Sequence, residues 1–205
     1  MSKISKYIFA LIAAFVIISF TKTAYNLIMH AIYPVRYYEY IDKYSRENNL
    51  DEYLVMGVIK AESNYIHDAH SGVARGLMQL TDDTAVWVAD KMGIEFSAND
   101  IEDPETNIKM GCFYLKYLTN LYENRDTALA AYNAGMGNVS KWLKNPEYSS
   151  DGITLSYIPF KETREYVAKV NDYERTYKEL YDLGKNIKKK KVRGSRFFGR
   201  KGMIL

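Results

Sequence analysis

The 205-residue chain contains few of the residues that cross-link or interrupt a polypeptide. Its single cysteine, Cys112, cannot form an internal disulfide, and no CxxC spacing exists that would hold a metal or a redox pair. Only 4 prolines occur, and no long Gly/Ser-rich stretch interrupts the body of the chain. Because 47% of the residues are hydrophobic, these absences exclude a disordered or fibrous protein and favour a domain with a real core.

Acidic residues are missing from both ends of the chain. Residues 183–205 hold 9 basic residues and residues 1–22 hold 3 lysines, with no acid in either segment. The intervening body, residues 23–184, carries 25 acidic and 16 basic residues, which does not favour nucleic acid as a main partner. We expect the basic tail, residues 183–205, to be disordered. A functional role for this tail would be electrostatic adhesion to anionic lipid or wall polymer.

An apolar run lies near the N-terminus. Lys3 and Lys6 precede the apolar residues 7–20, and after a short polar break with one lysine the apolar pattern resumes over residues 24–33. A lysine can extend its ammonium to an interface, so the two parts can form one membrane-spanning helix of 20 or so residues. A cleaved signal peptide is the alternative, but no convincing A-x-A site follows the run. We therefore expect residues 1–33 to be a retained single-pass anchor, rather than a core helix, with the rest of the chain outside the cytoplasmic membrane.

The body of the chain has the pattern of a mainly α protein. Apolar residues recur at helical spacing, and Asp103-Pro104 combines a capping residue with proline at the first helical position. The predicted helices cover approximately residues 35–48, 51–63, 82–92, 104–122, 126–135, 138–144 and 161–182. Residues 64–80 and 145–160 are predicted as loops, with a short hairpin possible within 64–80 or 148–158. The domain is expected to span residues 34–182.

Glu62 is the most informative single position. It follows apolar positions of the predicted helix 51–63 by three, four and seven residues, which places it on the apolar stripe of that helix. A carboxylate there costs free energy unless it is paired or protonated, and burial raises its pKa toward the range of a general acid. The competing interpretation is a half-exposed glutamate at a helix end, or one paired with Arg75 or Lys60. Spacing alone favours this competing interpretation.

Further blocks follow Glu62-Ser63 in a fixed order. They are Gly76-Leu77-Met78-Gln79, Asp103-Pro104-Glu105-x-Asn107-Ile108-x-x-Gly111, Ala131-Tyr132-Asn133-Ala134-Gly135 and Glu162-Thr163-Arg164-x-Tyr166-Val167. Over roughly residues 38–172 this series closely resembles the catalytic domain of the soluble lytic transglycosylase family. One block alone would mean little, but the ordered and spaced set is specific. The resemblance implies a lysozyme-like fold and peptidoglycan glycan strands as the binding partner.

The resemblance also implies a reaction that uses one glutamate and no metal or other cofactor. Members of the family cleave the β-1,4 bond between N-acetylmuramic acid and N-acetylglucosamine. Glu62 would protonate the glycosidic oxygen and then deprotonate the muramic 6-hydroxyl, which closes on C1 to give a 1,6-anhydro end. Most glycosidases need two carboxylates; here the hydroxyl and N-acetyl group of the substrate would replace the second.

By the same resemblance, a set of residues supports Glu62 and binds substrate: Ser63, Gly76, Met78, Gln79, Tyr132, Asn133 and Tyr166. Ser63 and Gln79 would hydrogen-bond N-acetyl groups or the surroundings of Glu62. Gly76 would allow the backbone to approach a sugar, and Met78 would pack on a sugar face. Tyr132 and Asn133 would line the cleft, and the Tyr166 hydroxyl would hold Glu62.

Other candidate residues have weaker signals. His67 and His70 form an H-x-x-H in a predicted loop without a third ligand at a helical offset, which disfavours a metal site. Arg164 is expected either to contact ligand or to pair with a neighbouring glutamate. Cys112 lies in an apolar helical pattern and is expected to be a small buried residue.

Two alternative functions remain open at the level of sequence. A goose-type muramidase has a similar fold but uses water, and it would need a further carboxylate, for which Asp82 and Asp83 are candidates. A non-catalytic peptidoglycan-binding scaffold of the cell envelope is the other alternative, and the presence of Glu62 argues against it. The chemical nature of the product end separates the transglycosylase from the muramidase.

Overall fold

The computed structural model describes the backbone of residues 3–198, together with their side chains except those of residues 98–99 and 183–198. The chain divides into two compact units. One unit is Val35–Lys178, and the other consists of the chain up to Pro34 together with the chain from Glu179 onward.

The unit that contains the N-terminal segment is built on one long helix, α1, Lys3–Ile32. Its 30 residues correspond to about 45 Å of helix, which exceeds the roughly 30 Å of a bilayer's hydrocarbon core. None of its described side chains is buried, so α1 is not the core helix of a soluble domain. Within the described residues it is the one helix long and apolar enough to cross a membrane. In the same unit, the Tyr181 hydroxyl donates to the carbonyl of Tyr33 at 2.6 Å.

The body is mainly helical, as the sequence predicts. Its helices are α2 Tyr38–Glu47, α3 Glu52–Glu62, α4 Asp82–Met92, a 3-10 helix Ala98–Glu102, α5 Pro104–Leu121, α6 Arg125–Ala134, α7 Met136–Leu143 and α8 Lys161–Phe198. Four of them begin at a side-chain cap, because Asp51, Thr81, Asp103 and Asn124 each accept a hydrogen bond from a backbone N–H two or three residues later. The predicted start at Asp103-Pro104 is therefore confirmed.

Three short strands lie between α3 and α4. They are β1 His70–Ser71, β2 Ala74–Arg75 and β3 Leu80–Thr81. The strands pair antiparallel in the order β1-β2-β3, with His70 opposite Arg75 and Ala74 opposite Thr81. Each strand has only 2 residues, too few to show the alternating pattern that identifies a strand in a sequence. Residues 64–80 were predicted as a loop that could contain a short hairpin. The structure has that hairpin, formed by β1 and β2, and a third strand that begins at Leu80.

The core of the body surrounds α5, which packs against α2, α4 and α6. Its buried face includes Ile108, Leu115 and Leu118, and Cys112 is also fully buried, as predicted. Helix α3 is buried over most of its length, from Tyr53 to Ile59. The burial of α3 brings its C-terminal end, and with it Glu62, against the other helices of the body.

The end of the last helix differs from the prediction. Helix α8 continues to Phe198, past the end that was predicted for the last helix near residue 182. No proline follows Pro159, and lysine, which is abundant in this stretch, is a good helix former. The final residues of the predicted tail, 199–205, lie outside the described residues.

Candidate active site

Glu62 is the last residue of α3. The residue is partly accessible to solvent, but protein atoms surround its carboxyl, and burial raises the pKa of that carboxyl from 4.5 to about 7. A hydrogen bond with the Tyr166 hydroxyl lowers the pKa and offsets part of this shift. A carboxyl of this kind can be protonated near neutral pH and can also release its proton there.

The basic residues that could have paired with Glu62 are engaged elsewhere. Arg75 forms ion pairs with Asp82 and Glu102, and Lys60 donates to the side chain of Asn64. The prediction that one of these cations neutralises Glu62 is therefore wrong. The other half of that interpretation, a glutamate at a helix end, holds, and the unpaired carboxyl is consistent with an acid/base role.

Two buried tyrosines flank Glu62. The pKa values of Tyr132 and Tyr166 are raised well above 10, first by burial and then by the charge of Glu62. Tyr132 is held in place, because its hydroxyl donates to the carbonyl of Met78 at 2.9 Å. The Tyr166 hydroxyl is buried and is engaged by no other described residue, which leaves it available to the Glu62 carboxyl beside it.

Ser63 joins the end of α3 to the segment of residues 76–79. Its hydroxyl donates to the carbonyl of Leu77 at 2.8 Å and also contacts the carbonyl of Ile59 at 3.2 Å. The only proton of this hydroxyl is therefore used within the protein. Ser63 therefore ties the end of α3, next to Glu62, to Leu77. It has no further proton to donate to a sugar.

Gln79 closes the other end of the same segment. Its side-chain amide donates to the carbonyls of Ala69 and Gly76 at 2.9 and 2.8 Å, and its side-chain oxygen accepts from Ser71. Its backbone is left-handed, with φ of 47°, which is uncommon for a residue other than glycine. The hydrogen bonds of Gln79 thus fold residues 69–79 into a compact turn beside α3.

The close approach at Gly76 is to a protein side chain. Gly76 has φ of 83°, and a Cβ there would overlap the amide of Asn107. Asn107 is fully buried; its amide donates to the carbonyl of Ile101 at 2.7 Å, and its oxygen accepts from the N–H of Met78 at 2.7 Å. Asn107 belongs to one of the sequence blocks, but no role was predicted for it. A polar residue on the buried face of α5 is the signal that could have identified it.

Met78 is also placed differently from the expectation. Its side chain is fully buried and packs directly on Gly111 of α5, where a Cβ would overlap the methionine sulfur. A side chain without exposed surface has no free face for a sugar, so the predicted sugar contact is not seen. Met78 contributes instead through its backbone, which Tyr132 and Asn107 hold from opposite sides.

Asn133 and Arg164 connect α8 to its neighbours. Thr163 donates to the side-chain oxygen of Asn133 at 2.8 Å, which ties α8 to α6. The Arg164 guanidinium donates to the carbonyls of Ile158 and Pro159 at 2.6 and 2.9 Å. No ion pair joins Arg164 to a glutamate among the described residues, so that expected role is wrong, and the guanidinium instead fixes the loop that leads into α8. A ligand contact of Arg164 stays a prediction.

The other carboxylates near this part of the fold lie apart from Glu62. Asp82 pairs with Arg75, and neither Asp82 nor Asp83 contributes to the pKa shift of Glu62. His70 lies 3.0 Å from a carboxylate oxygen of Glu102. Among the side chains that the structure describes, no group of three or more His, Cys, Asp or Glu residues is placed to hold a metal ion.

The fold and the site together define a lysozyme-like helical domain in which protein atoms enclose the carboxyl of Glu62. The chain belongs to the family described as the transglycosylase SLT domain, whose model matches residues 39–153. This match confirms the resemblance found in the sequence blocks.

Relatives of the chain carry transglycosylase names. It is 34% identical over 153 residues to the soluble lytic murein transglycosylase of Salmonella typhimurium, a match that covers 72% of this chain and 24% of that protein. It is 31% identical over 168 residues to the membrane-bound lytic murein transglycosylase C of Salmonella arizonae, covering 70% of this chain and 46% of that protein. The chain thus spans about a quarter of the soluble relative and less than half of the membrane-bound one.

Solved structures show the same fold. The 70 kDa soluble lytic transglycosylase of Escherichia coli matches with a TM-score of 0.65 and 31% identity, over 74% of this chain and 25% of that chain. The lytic transglycosylase Slt of Pseudomonas aeruginosa, solved as an inactive mutant in which glutamine replaces a glutamate, matches with a TM-score of 0.64 and 32% identity, over 73% and 25% of the two chains. The similarity thus covers the helical body and not the remainder of these larger proteins.

Proposed function

We propose that this protein is a peptidoglycan lytic transglycosylase that cleaves the β-1,4 bond between N-acetylmuramic acid and N-acetylglucosamine. The observation that carries the proposal is the buried Glu62 carboxyl, whose pKa of about 7 suits both donation and acceptance of a proton. The names of the relatives support the same substrate, since they are lytic murein transglycosylases.

The reaction needs one group that acts as acid and then as base. Protonated Glu62 donates its proton to the glycosidic oxygen, and the bond from that oxygen to C1 breaks. The carboxylate formed then takes the proton of the muramic 6-hydroxyl while O6 bonds to C1, which regenerates protonated Glu62. The product carries a 1,6-anhydro ring, and no water is consumed.

The surroundings of Glu62 favour this route over hydrolysis. Inverting and retaining glycosidases place a second carboxylate at a defined distance from the acid, to serve as base or nucleophile. Asp82 and Asp83, the candidates for that role, do not influence Glu62. Within the described residues Glu62 has tyrosines beside it rather than a second acid.

The neighbouring residues take supporting roles in this proposal. The Tyr166 hydroxyl stabilises the Glu62 carboxylate in the second half of the reaction, when the carboxyl has lost its proton. Tyr132 positions the backbone of Met78, while Gln79 and Asn133 border the cleft through groups that also hold the fold. In this proposal Gln79 and Asn133, which border the cleft, bind the substrate. The reaction uses no metal or other cofactor.

Replacing Glu62 tests the proposal. Glu62→Gln keeps the size and the hydrogen-bonding capacity of the side chain but cannot transfer the proton, so cleavage should fall by roughly 100- to 10,000-fold or more. The measurement is mass spectrometry of soluble products released from purified peptidoglycan, with the exposed Glu95→Gln as a matched control that should retain activity. Wild-type products should end in 1,6-anhydro-muramic acid.

Two results would contradict this assignment. Retained cleavage in Glu62→Gln would remove Glu62 from the mechanism. Reducing-end muramic acid as the main wild-type product would keep Glu62 and identify a muramidase.

We also propose that α1 attaches the protein to the cytoplasmic membrane as a single span, with residues 34–205 outside. The apolar side chains of α1 are unburied within the described structure, and one relative is named as membrane-bound. The basic residues from 185 onward would adhere to anionic lipid headgroups. Binding of the purified chain to vesicles, with and without residues 185–205 and at rising salt, tests this adhesion.

A further inference from the structure

Helices α3 and α8 approach each other closely at Gly57. A Cβ built on Gly57 would lie 2.9 Å from the carbonyl oxygen of Val170 and 3.1 Å from the backbone nitrogen of Glu174. Glycine inside a helix is less favourable than alanine by about 1 kcal/mol, so helix propensity does not account for glycine here. The backbone-to-backbone contact with α8 does account for it.

The same two helices carry the acid and the phenol beside it. Glu62 lies five residues after Gly57 on α3, and Tyr166 lies one turn before Val170 on α8. Because an α-helix is stiff over one or two turns, the separation of the helices at Gly57 determines how closely the Tyr166 hydroxyl can approach the Glu62 carboxyl. That hydroxyl is buried and has no other partner among the described residues, so its distance from the Glu62 carboxyl depends on the spacing of the two helices.

Charged residues fix the position of α8 along α3. Lys178 of α8 pairs with Asp51, the cap of α3, at 2.7 Å and with Glu174 at 2.8 Å. The Glu174 side chain is only 6% exposed and also accepts from Arg125 at 2.8 Å. Asp51 and Lys178 thus hold one end of the helix pair while Glu62 and Tyr166 lie at the other end, with Gly57 between them.

We propose that Gly57 is a positioning residue, which sets the spacing of α3 and α8 so that Tyr166 reaches Glu62. This inference rests on the proposed transglycosylase activity. Gly57 itself touches no substrate; it acts through the distance between the tyrosine and the acid. The ion pairs of Lys178 keep α8 in the register that this spacing requires.

The test is Gly57→Ala in the full chain. The added methyl group forces α8 outward, which withdraws the Tyr166 hydroxyl from Glu62 and removes an interaction that lowers the pKa of Glu62. Since Glu62 must be protonated to act as the acid, the alkaline limb of kcat/KM should move to higher pH, and kcat should fall by roughly 10-fold or more. Gly137→Ala in α7 is the matched control, because a Cβ there meets no atom within 4 Å; its pH profile should equal that of the wild type.

A second variant separates positioning from a general loss of structure. Tyr166→Phe should shift the alkaline limb in the same direction, and the double variant Gly57→Ala with Tyr166→Phe should shift it no further than Tyr166→Phe alone. Lys178→Gln, at an exposed end of the helix pair, should give a smaller shift in that direction. This variant provides the test if Gly57→Ala does not fold, as judged by urea unfolding.

The outcomes distinguish this inference from the proposed function. A wild-type chain that does not cleave peptidoglycan contradicts the function. A wild-type chain that cleaves, with an unchanged alkaline limb in a folded Gly57→Ala, overturns the inference, as does an additive shift in the double variant. If Gly57→Ala does not fold, an unchanged limb in Lys178→Gln overturns it equally.

Discussion

At the scale of single residues, Glu62 has its chemistry because of where α3 ends. The C-terminal end of a helix carries partial negative charge, which disfavours a further negative charge there. Burial is the main cause of the raised pKa of this carboxyl, which is about 7, and the end of the helix acts in the same direction. Ionisation of this carboxyl therefore destabilises the fold. A glutamate at such a position is consistent with a functional role.

This cost predicts how stability depends on pH. The folded chain holds the Glu62 proton more tightly than the unfolded chain, so the stabilisation from protonation is complete below about pH 4.5 and is lost as the pH rises through about 7. The shift corresponds to roughly 3 kcal/mol. Glu62→Gln does not titrate, so its free energy of unfolding relative to the wild type should rise by about that amount between pH 4 and pH 8.

Urea unfolding of both proteins at the two pH values measures this difference. The exposed Glu95→Gln serves as the control, and its free energy of unfolding relative to the wild type should stay the same at the two pH values. A constant difference between Glu62→Gln and the wild type across the range would show that the carboxyl titrates alike in the folded and unfolded chains.

At the scale of elements, α5 holds the segment of residues 76–79 through Asn107. This buried side chain accepts from the N–H of Met78 and donates to the carbonyls of Arg75 and Ile101. The segment therefore takes its shape from a helix more than twenty residues further along the chain. Gly76 completes the arrangement by leaving space for the amide.

Removing this amide should loosen the segment. Asn107→Ala leaves a buried N–H and buried carbonyls without partners, which should lower the free energy of unfolding by about 2–4 kcal/mol. Because Ser63 is bonded to the same segment, activity should also fall. Thermal unfolding and the cleavage assay measure the two effects.

Asn171→Ala is the control for this change. The Asn171 side chain also makes hydrogen bonds, to Arg125 and Asp126, but these lie at the surface, where water can replace them. Equal losses of stability in Asn107→Ala and Asn171→Ala would contradict the special role of the buried amide.

At the scale of the whole molecule, the apolar α1 and the folded body call for different surroundings. None of the described side chains of α1 is buried within the protein, whereas the body has its own core. The hydrocarbon core of a bilayer is the environment that would cover α1. Lys3 and Lys6, which precede the apolar run, support the proposed orientation, in which the basic start lies inside.

Protease treatment of intact protoplasts tests this orientation. The body should be digested from outside, while a cytoplasmic marker protein in the same cells stays intact. Deletion of residues 1–33 should release a folded body into the soluble fraction. A mature chain that begins after about residue 24 would show instead that the apolar run is a cleaved signal.

Features that depend on residues close together in the chain could be predicted without the structure. Helix starts such as Asp103-Pro104 follow from a cap and a proline, and the burial of Cys112 follows from helical periodicity. The blocks around Glu62 were enough to predict the family. Each block is a short local pattern, and the order of the blocks can be read directly from the chain. The end of α8 was missed, because the last helix was predicted to end near residue 182, whereas α8 continues through Gly184 to Phe198.

Contacts between distant parts of the chain could not be predicted in this way. Three arrangements depend on contacts between elements distant in sequence or on loop geometry. Gly76 faces Asn107, α5 covers Met78, and Arg164 binds loop carbonyls. The pKa of Glu62 likewise depends on how completely the packed helices exclude water from its carboxyl. Periodicity reports which face of a helix is buried, but the partner of that face is set by packing and hydrogen bonding across the whole body.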